Sequence, residues 1–154
     1  MSKTIILLTF FIFLPISLFA VLPPQILKKQ SMNANEVIKI KVIKVNYKKL
    51  DNLRYSITAE AKVIEVKKSK SNLKKGDIIT ISYTRKELKK GMAGPKPNPF
   101  LSKNETTGAF LYKSKDKNYS LSAKSASFND NYYKNYVETK VKLKSKDKKV
   151  KRNK

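Results

Sequence analysis

The stretch AEAKVIEVKKSKSNLKKGDIITISY, residues 59–83, reads as strand, polar turn and strand. Ala59, Ala61 and Val63 alternate with polar residues, as on a half-buried strand, and Ile78 to Tyr83 is short and rich in β-branched residues. Between them, Ser69 to Asp77 gathers Ser, Asn, Gly and Asp, and Gly76 can take the positive φ of a tight reversal. After Val63 the apolar phase slips to Ile64 and Val66. One extra residue in a bulge produces such a slip, because side chains alternate faces with a period of two.

The same slip occurs upstream. Glu36 to Tyr47 (EVIKIKVIKVNY) places Ile38, Ile40 and Val42 on one face and Lys39 and Lys41 on the other, then moves to Ile43, Val45 and Tyr47. Two adjacent strands that both change face midway are expected in a sheet coiled enough to close on itself, whereas a flat sandwich requires no slip. The second of these strands runs from Tyr55 to about Lys67, after the turn-type pair Asp51-Asn52. In the third, Ile79, Ile81 and Tyr83 share a face.

A fourth strand is expected at Gly108 to Tyr112, with Gly108 suited to a bulge or a close backbone approach. A fifth follows from Tyr119 to Phe128, after a hydrophilic turn at Ser114 to Asn118. Thr84 to Leu101 is the longest irregular connection. Gly91, Gly94, Pro95, Pro97 and Pro99 deny it regular structure, with room for a helical turn at Arg85 to Lys90.

The flanks are of a different character. Lys3 and an apolar run from Ile5 to Leu22, broken by Thr9, Pro15 and Ser17, have the outline of a secretory signal. An uncleaved anchor is the competing reading, but Pro15 and Pro23-Pro24 favour removal. The expected destination is export, to a periplasm or the exterior. The resulting plan is a signal at 1–22, a leader of mixed polarity at 23–35, a barrel domain at 36–128 and a basic tail at 129–154. In the tail, Tyr132, Tyr133, Tyr136, Val137, Val141 and Leu143 fit a short amphipathic helix. The Lys-rich end is too poor in apolar residues to offset its ordering entropy.

Composition bounds the chemistry. The chain has 35 Lys+Arg against 11 Asp+Glu, a net charge of +24, and no His or Cys. A field of that size attracts polyanions without specifying one. Only Arg54, Arg85 and Arg152 are arginines, so bidentate recognition of phosphate or carboxylate has few candidates. Abundant Lys, Asn and Ile also fit an AT-rich coding background. Lack of Cys removes lipoprotein acylation, disulfides and thiol catalysis, and lack of His removes triads and most zinc and copper sites. Glu60 and Glu65 have no acidic partner in phase, and Gly91-Met-Ala-Gly94 lacks the Lys-Ser/Thr of a phosphate loop. No enzymatic activity, cofactor or metal is expected.

Five strands after an export signal, the first two long and bent, suggest a small barrel of the OB type. The segment Ala61 to Phe128 carries a closer likeness. Its second strand, Leu73-Lys-Lys-Gly76-Asp77 turn, Ile78 to Tyr83 strand, Gly/Pro loop, Gly108-Ala-Phe-Leu-Tyr112 and closing Ser127-Phe128 resemble the netrin-like barrel shared with tissue inhibitors of metalloproteinases. Small exported bacterial proteins with similar strand–turn spacing are also similar. The likeness covers roughly half of the chain and implies fold. Those inhibitors use an N-terminal Cys to chelate the target's metal and disulfides to brace the barrel, and this chain has neither.

Barrels of this type bind strands or sugars with aromatic rings and a basic groove. The candidate ligand-binding residues are Tyr83, Arg85 and Lys86 at the end of the third strand, Phe100 in the long loop, and Tyr112 with Tyr119 at the next turn. Tyr83, Phe110 and Phe128 also suit a core, since aromatics carry much of a small core's burial. The expected function is a non-enzymatic exported binding or scaffold domain whose partner is an envelope protein or acidic polymer. The alternatives are a protease inhibitor acting through the processed N-terminus or the Gly91 to Pro99 loop, and non-specific binding of nucleic acid or anionic membrane by the tail.

Overall fold

The computed structural model describes residues 24–114 and 118–139. The expected signal at 1–22, the middle of the Ser114 to Asn118 turn and the tail beyond residue 139 lie outside the described residues. The elements are helix α1 (Pro24–Met32), strands β1 (Glu36–Lys49), β2 (Arg54–Ser69), β3 (Ile78–Lys86), β4 (Thr106–Lys113) and β5 (Asn118–Leu121), and a 3-10 turn at Lys124–Ala126. Helix α2 occupies residues 130–139. The strands form a closed barrel in the order β1-β2-β3-β5-β4, with β4 returning to β1. Neighbours are antiparallel except β3 and β5. A closed barrel of five strands is compatible with the OB-like architecture expected from sequence.

Both phase slips are bulges. Val42 faces Ala61 and Lys44 faces Glu60, leaving Ile43 unmatched; Lys39 faces Glu65 and Ile40 faces Val63, leaving Ile64 unmatched. A third extra residue, Lys67, lies between the Val37–Lys68 and Ile38–Val66 pairs. Each bulge bends its strand and adds twist, so the β1–β2 ribbon curls and the sheet closes.

The interior follows the alternation. Ile38, Ile40, Ala61, Val63, Ile79, Ile81, Ala109, Leu111 and Tyr119 make one buried cluster, with Val66, Leu73, Tyr83 and Phe128 packed against it. Phe110 is fully buried as well, but in the opposite phase from Ala109 and Leu111. It joins Ala34, Val37, Tyr133 and Tyr136 in a second cluster on the outer side of β1 and β4, beneath the helices. Residues 130–139 are therefore an amphipathic helix, as expected. The leader, by contrast, is largely helical. Pro24 starts α1, where its missing N–H is no loss, and Ser31 and Ala34 are the buried residues of this stretch.

Gly108 is a close-approach glycine. A Cβ there would lie 2.4 Å from Tyr133 Cβ, so only glycine lets α2 reach the strand. The contact is fastened by Gly108 N–H donating to Asp130 Oδ1 at 2.7 Å and Asn129 N–H donating to Gly108 O at 3.2 Å. At the start of β1, Glu36 is fully buried and its Oε1 accepts from the Lys70 and Ser71 amides at 3.2 and 3.1 Å. That clamp holds the start of the β2–β3 turn, in which Gly76 has φ of +100°.

Two expectations are corrected. β5 ends at Leu121, not Phe128: Ser122 Oγ donates to Phe110 O at 2.8 Å and Ala123 N–H to Ser127 Oγ at 2.8 Å. The cross-strand Ser122 bond and the local Ala123–Ser127 bond draw the chain into the 3-10 turn, and Phe128 meets Ala109 only by an isolated bridge. β3 continues through Arg85 and Lys86, paired with Tyr55 and Arg54, which excludes a helical turn from there.

Candidate functional site

The end of the barrel built by the β1–β2 turn and the β3–β4 loop collects most of the candidate residues. The turn is self-capped: Asp51 Oδ1 accepts from the Leu53 and Arg54 amides at 2.9 Å, and its Oδ2 from Arg54 Nε. The Leu53 amide and then the Arg54 guanidinium hold the Asp51 carboxyl below its ordinary value. Across the strands, Tyr47 faces Ile57, which faces Tyr83, and Lys49 faces Tyr55, which faces Arg85. Tyr83 and Arg85 therefore share the inward phase of Ile79 and Ile81, while Lys86 points to the opposite face.

The segment 98–101 returns over this inward face and is tied down residue by residue. Asn98 Nδ2 donates to Thr84 O at 2.8 Å, and Asn98 O accepts from Arg85 Nη1. Tyr83 Oη donates to Pro99 O at 2.7 Å, and Tyr47 Oη to Leu101 O. Leu101 is fully buried with Val42 and Ala59. Prolines 97 and 99 favour an extended backbone, and the carbonyl of Pro99 is used as an acceptor. Burial of Tyr83, with smaller contributions from Tyr47 and Glu105, pushes its phenol far above the ordinary value.

Phe100 sits at the middle of this knot. The Arg85 guanidinium carbon lies 4.0 Å from its ring centroid, and the rings of Tyr47 and Tyr55 approach edge-on at 5.4 and 6.0 Å. Arg85 Nε is 3.6 Å from Glu87 Oε1, an ion pair too long to be a hydrogen bond. The structure thus brings Tyr83, Arg85 and Phe100 together and adds Tyr47 and Tyr55. Segment 98–101 occupies the inner side of β2 and β3, and one ring face of Phe100 is already used by Arg85. Tyr119 is buried, with its Oη 3.0 Å from Ser71 Oγ at the other end of the barrel. Tyr112 is half-buried and out of phase with Leu111.

Sequence reasoning placed Lys39 and Lys41 outward without naming the surface they begin. On the outward face of β1–β2–β3, Lys41 stands opposite Lys62, Lys44 opposite Glu60, Asn46 opposite Thr58 and Ser82, and Lys48 opposite Ser56 and Thr84, with Arg54 beside Lys86. Lys41, Lys44, Lys48, Lys62 and Lys86 are exposed and enter none of the ion pairs among the described residues. Apart from Glu60 and the exposed Ile78 beside Lys62, the remainder of the face is hydroxyl and amide. Alternation of Lys with β-branched residues was the signal that could have found it.

A polar hollow of about 410 Å³ lies between β2 and α2, lined by Glu65, Lys67, Tyr133 and Lys134 among others. Tyr133 Oη donates to Glu65 Oε2 at 2.9 Å, and Lys67 pairs with Oε1. Lys67 first, then Tyr133, holds the Glu65 carboxyl below its usual range, while burial and the Glu65 bond push the Tyr133 phenol up. Among the described residues no three acids, His or Cys are grouped as a metal would require. No described helix is long and apolar enough to cross a membrane. Compared with models of known protein families and with curated proteins, the chain matches none.

Proposed function

We propose that the chain is an exported, non-enzymatic binding module, a barrel of the netrin-like kind, that holds an acidic envelope polymer on the outward face of β1–β2–β3. The observation that carries the reading is the unpaired lysine array, above all Lys41 directly opposite Lys62. Like charges facing each other across strands are destabilising, and a polyanion laid over them removes that cost. The array is lysine with hydroxyls between, which suits repeated charges better than a single planar anion. Strand neighbours are about 4.8 Å apart and alternate residues about 6.7 Å apart, a grid on the scale of the charge spacing in anionic polymers.

The test is elution from a heparin-type matrix in a salt gradient. Lys41→Glu, Lys44→Glu and Lys62→Glu together should elute at clearly lower salt than a charge-matched control carrying Lys28→Glu, Lys29→Glu and Lys134→Glu. Equal shifts in both variants would reduce the effect to net charge and overturn the assignment. A strong preference for nucleic acid over the acidic polysaccharide would replace the polymer class.

A further inference from the structure

Eight large hydrophobic side chains are exposed among the described residues, and five of them, Tyr47, Leu50, Leu88, Met92 and Phe100, belong to the end formed by the β1–β2 turn and the β3–β4 loop. Met92 is 63 % exposed and Leu50 is 49 % exposed, each on a loop tip. The two loops are joined where the Glu87 amide donates to Leu53 O at 2.7 Å. Both tips are held in shape. Leu50 N–H donates to Arg54 O at 2.9 Å, and Met92 N–H to Lys89 O at 3.0 Å around Gly91, whose φ is +83°. The return path of the loop is fixed by the Asn98, Pro99 and Leu101 contacts.

The charges around these tips are one-sided. The acids of this end are already engaged, Asp51 with Arg54, Glu87 with Arg85 and Glu105 with the Ser102 amide. Lys48, Lys49, Lys86, Lys89, Lys90 and Lys96 are exposed and unpaired among the described residues. Apolar tips and tyrosines inside a lysine collar match the layering of an anionic bilayer surface, where aliphatic groups enter below the headgroups and cations meet them. A soluble polyanion would use the collar and leave Leu50 and Met92 without purpose.

We infer that this end of the barrel docks on an anionic lipid bilayer through Leu50 and Met92, with the surrounding lysines on the headgroups. The inference rests on the apolar tips and shares only Lys48 and Lys86 with the polymer-binding face. The chain has no cysteine, so a single Cys introduced at Leu50 or Met92 can carry an environment-sensitive fluorophore in the full chain. Asn72, exposed on the β2–β3 turn at the opposite end, is the control position.

With phosphatidylglycerol-containing vesicles, labels at 50 and 92 should shift to a lipid-like emission and be quenched by lipid-borne nitroxide, while the label at 72 stays aqueous. Phosphatidylcholine vesicles should produce neither change. Lys89→Glu with Lys90→Glu should weaken the response at least about 25-fold, since each lysine near an anionic surface contributes roughly fivefold. Aqueous labels at 50 and 92 on anionic vesicles, an equal response at position 72, or the same response to soluble heparin would each overturn the proposal. The outward-face triple variant should leave the labels' response in place, so failure of this proposal and failure of the polymer reading are told apart.

Discussion

Replacing Gly108 with alanine places a methyl group where α2 rests on β4. The new Cβ would lie 2.4 Å from Tyr133 Cβ, 2.7 Å from Cγ and 3.1 Å from Cδ2. Carbon atoms prefer about 3.5 to 4.0 Å, so the helix must retreat by roughly 1 Å. That retreat strains the 2.7 Å bond from Gly108 N–H to Asp130 and the 2.9 Å bond from Tyr133 to Glu65. Overpacking of this size costs about 1 to 3 kcal/mol, a fall in melting temperature of about 2 to 4 °C per kcal/mol in a chain of this length. Urea and thermal unfolding measure it. A double-mutant cycle isolates the cause: Tyr133→Gly removes the clashing Cβ and should absorb most of the penalty, whereas Tyr133→Ala keeps that atom and should relieve only part. A Gly108→Ala variant as stable as the parent, or one equally destabilised beside Tyr133→Gly, would refute the steric argument.

Other outcomes follow from the same packing. Leu101→Ala, in the cluster with Val42 and Ala59, should cost about 2 to 5 kcal/mol and make the 88–101 loop more susceptible to limited proteolysis. Phe110→Ala should cost about 3 to 5 kcal/mol, but because Phe110 packs outside the barrel, hydrogen exchange should accelerate first in α1 and α2 and not in β3. Glu65, held below its ordinary value of 4.5, contributes stability that is present above that pH and lost as pH falls through the lower folded value. The stability gap between the parent and Glu65→Gln, read from urea midpoints, should therefore be widest near neutrality and close in acid. The side chain is 42 % exposed, so solvent screening keeps the gap small.

The barrel was legible in the sequence because its bends break a period-two pattern at Ile43 and Ile64, and an apolar residue out of phase is visible without coordinates. The bulge at Lys67 was not, since no apolar neighbour marks the slip among Lys68 and Ser69. Phe110 reads as core from its chemistry, but alternation alone does not say that a helix 20 residues later covers the outer side of β4. The end of β5 escaped because serine side chains, not apolar pattern, turn the chain there. For the site, Tyr83 and Arg85 share a phase and could be paired on that ground. Their meeting with Phe100, Tyr47 and Tyr55 depends on a proline-rich return path that local periodicity does not encode.

The parallel contact between β3 and β5 is two residue pairs long, Thr80 with Asn118 and Ile81 with Tyr119. β1 and β2, in contrast, share thirteen. The cylinder is thus a long ribbon closed by two seams between segments distant in sequence, the six-pair β1–β4 seam and this very short clasp. Such a clasp is expected to be the last part to fasten in folding and the first to give way in thermal fluctuation. When it does, the free edge of β3 becomes a template for a strand from another copy of the chain, so four residues, Asn118–Leu121, guard the protein against exchanging strands with its neighbours.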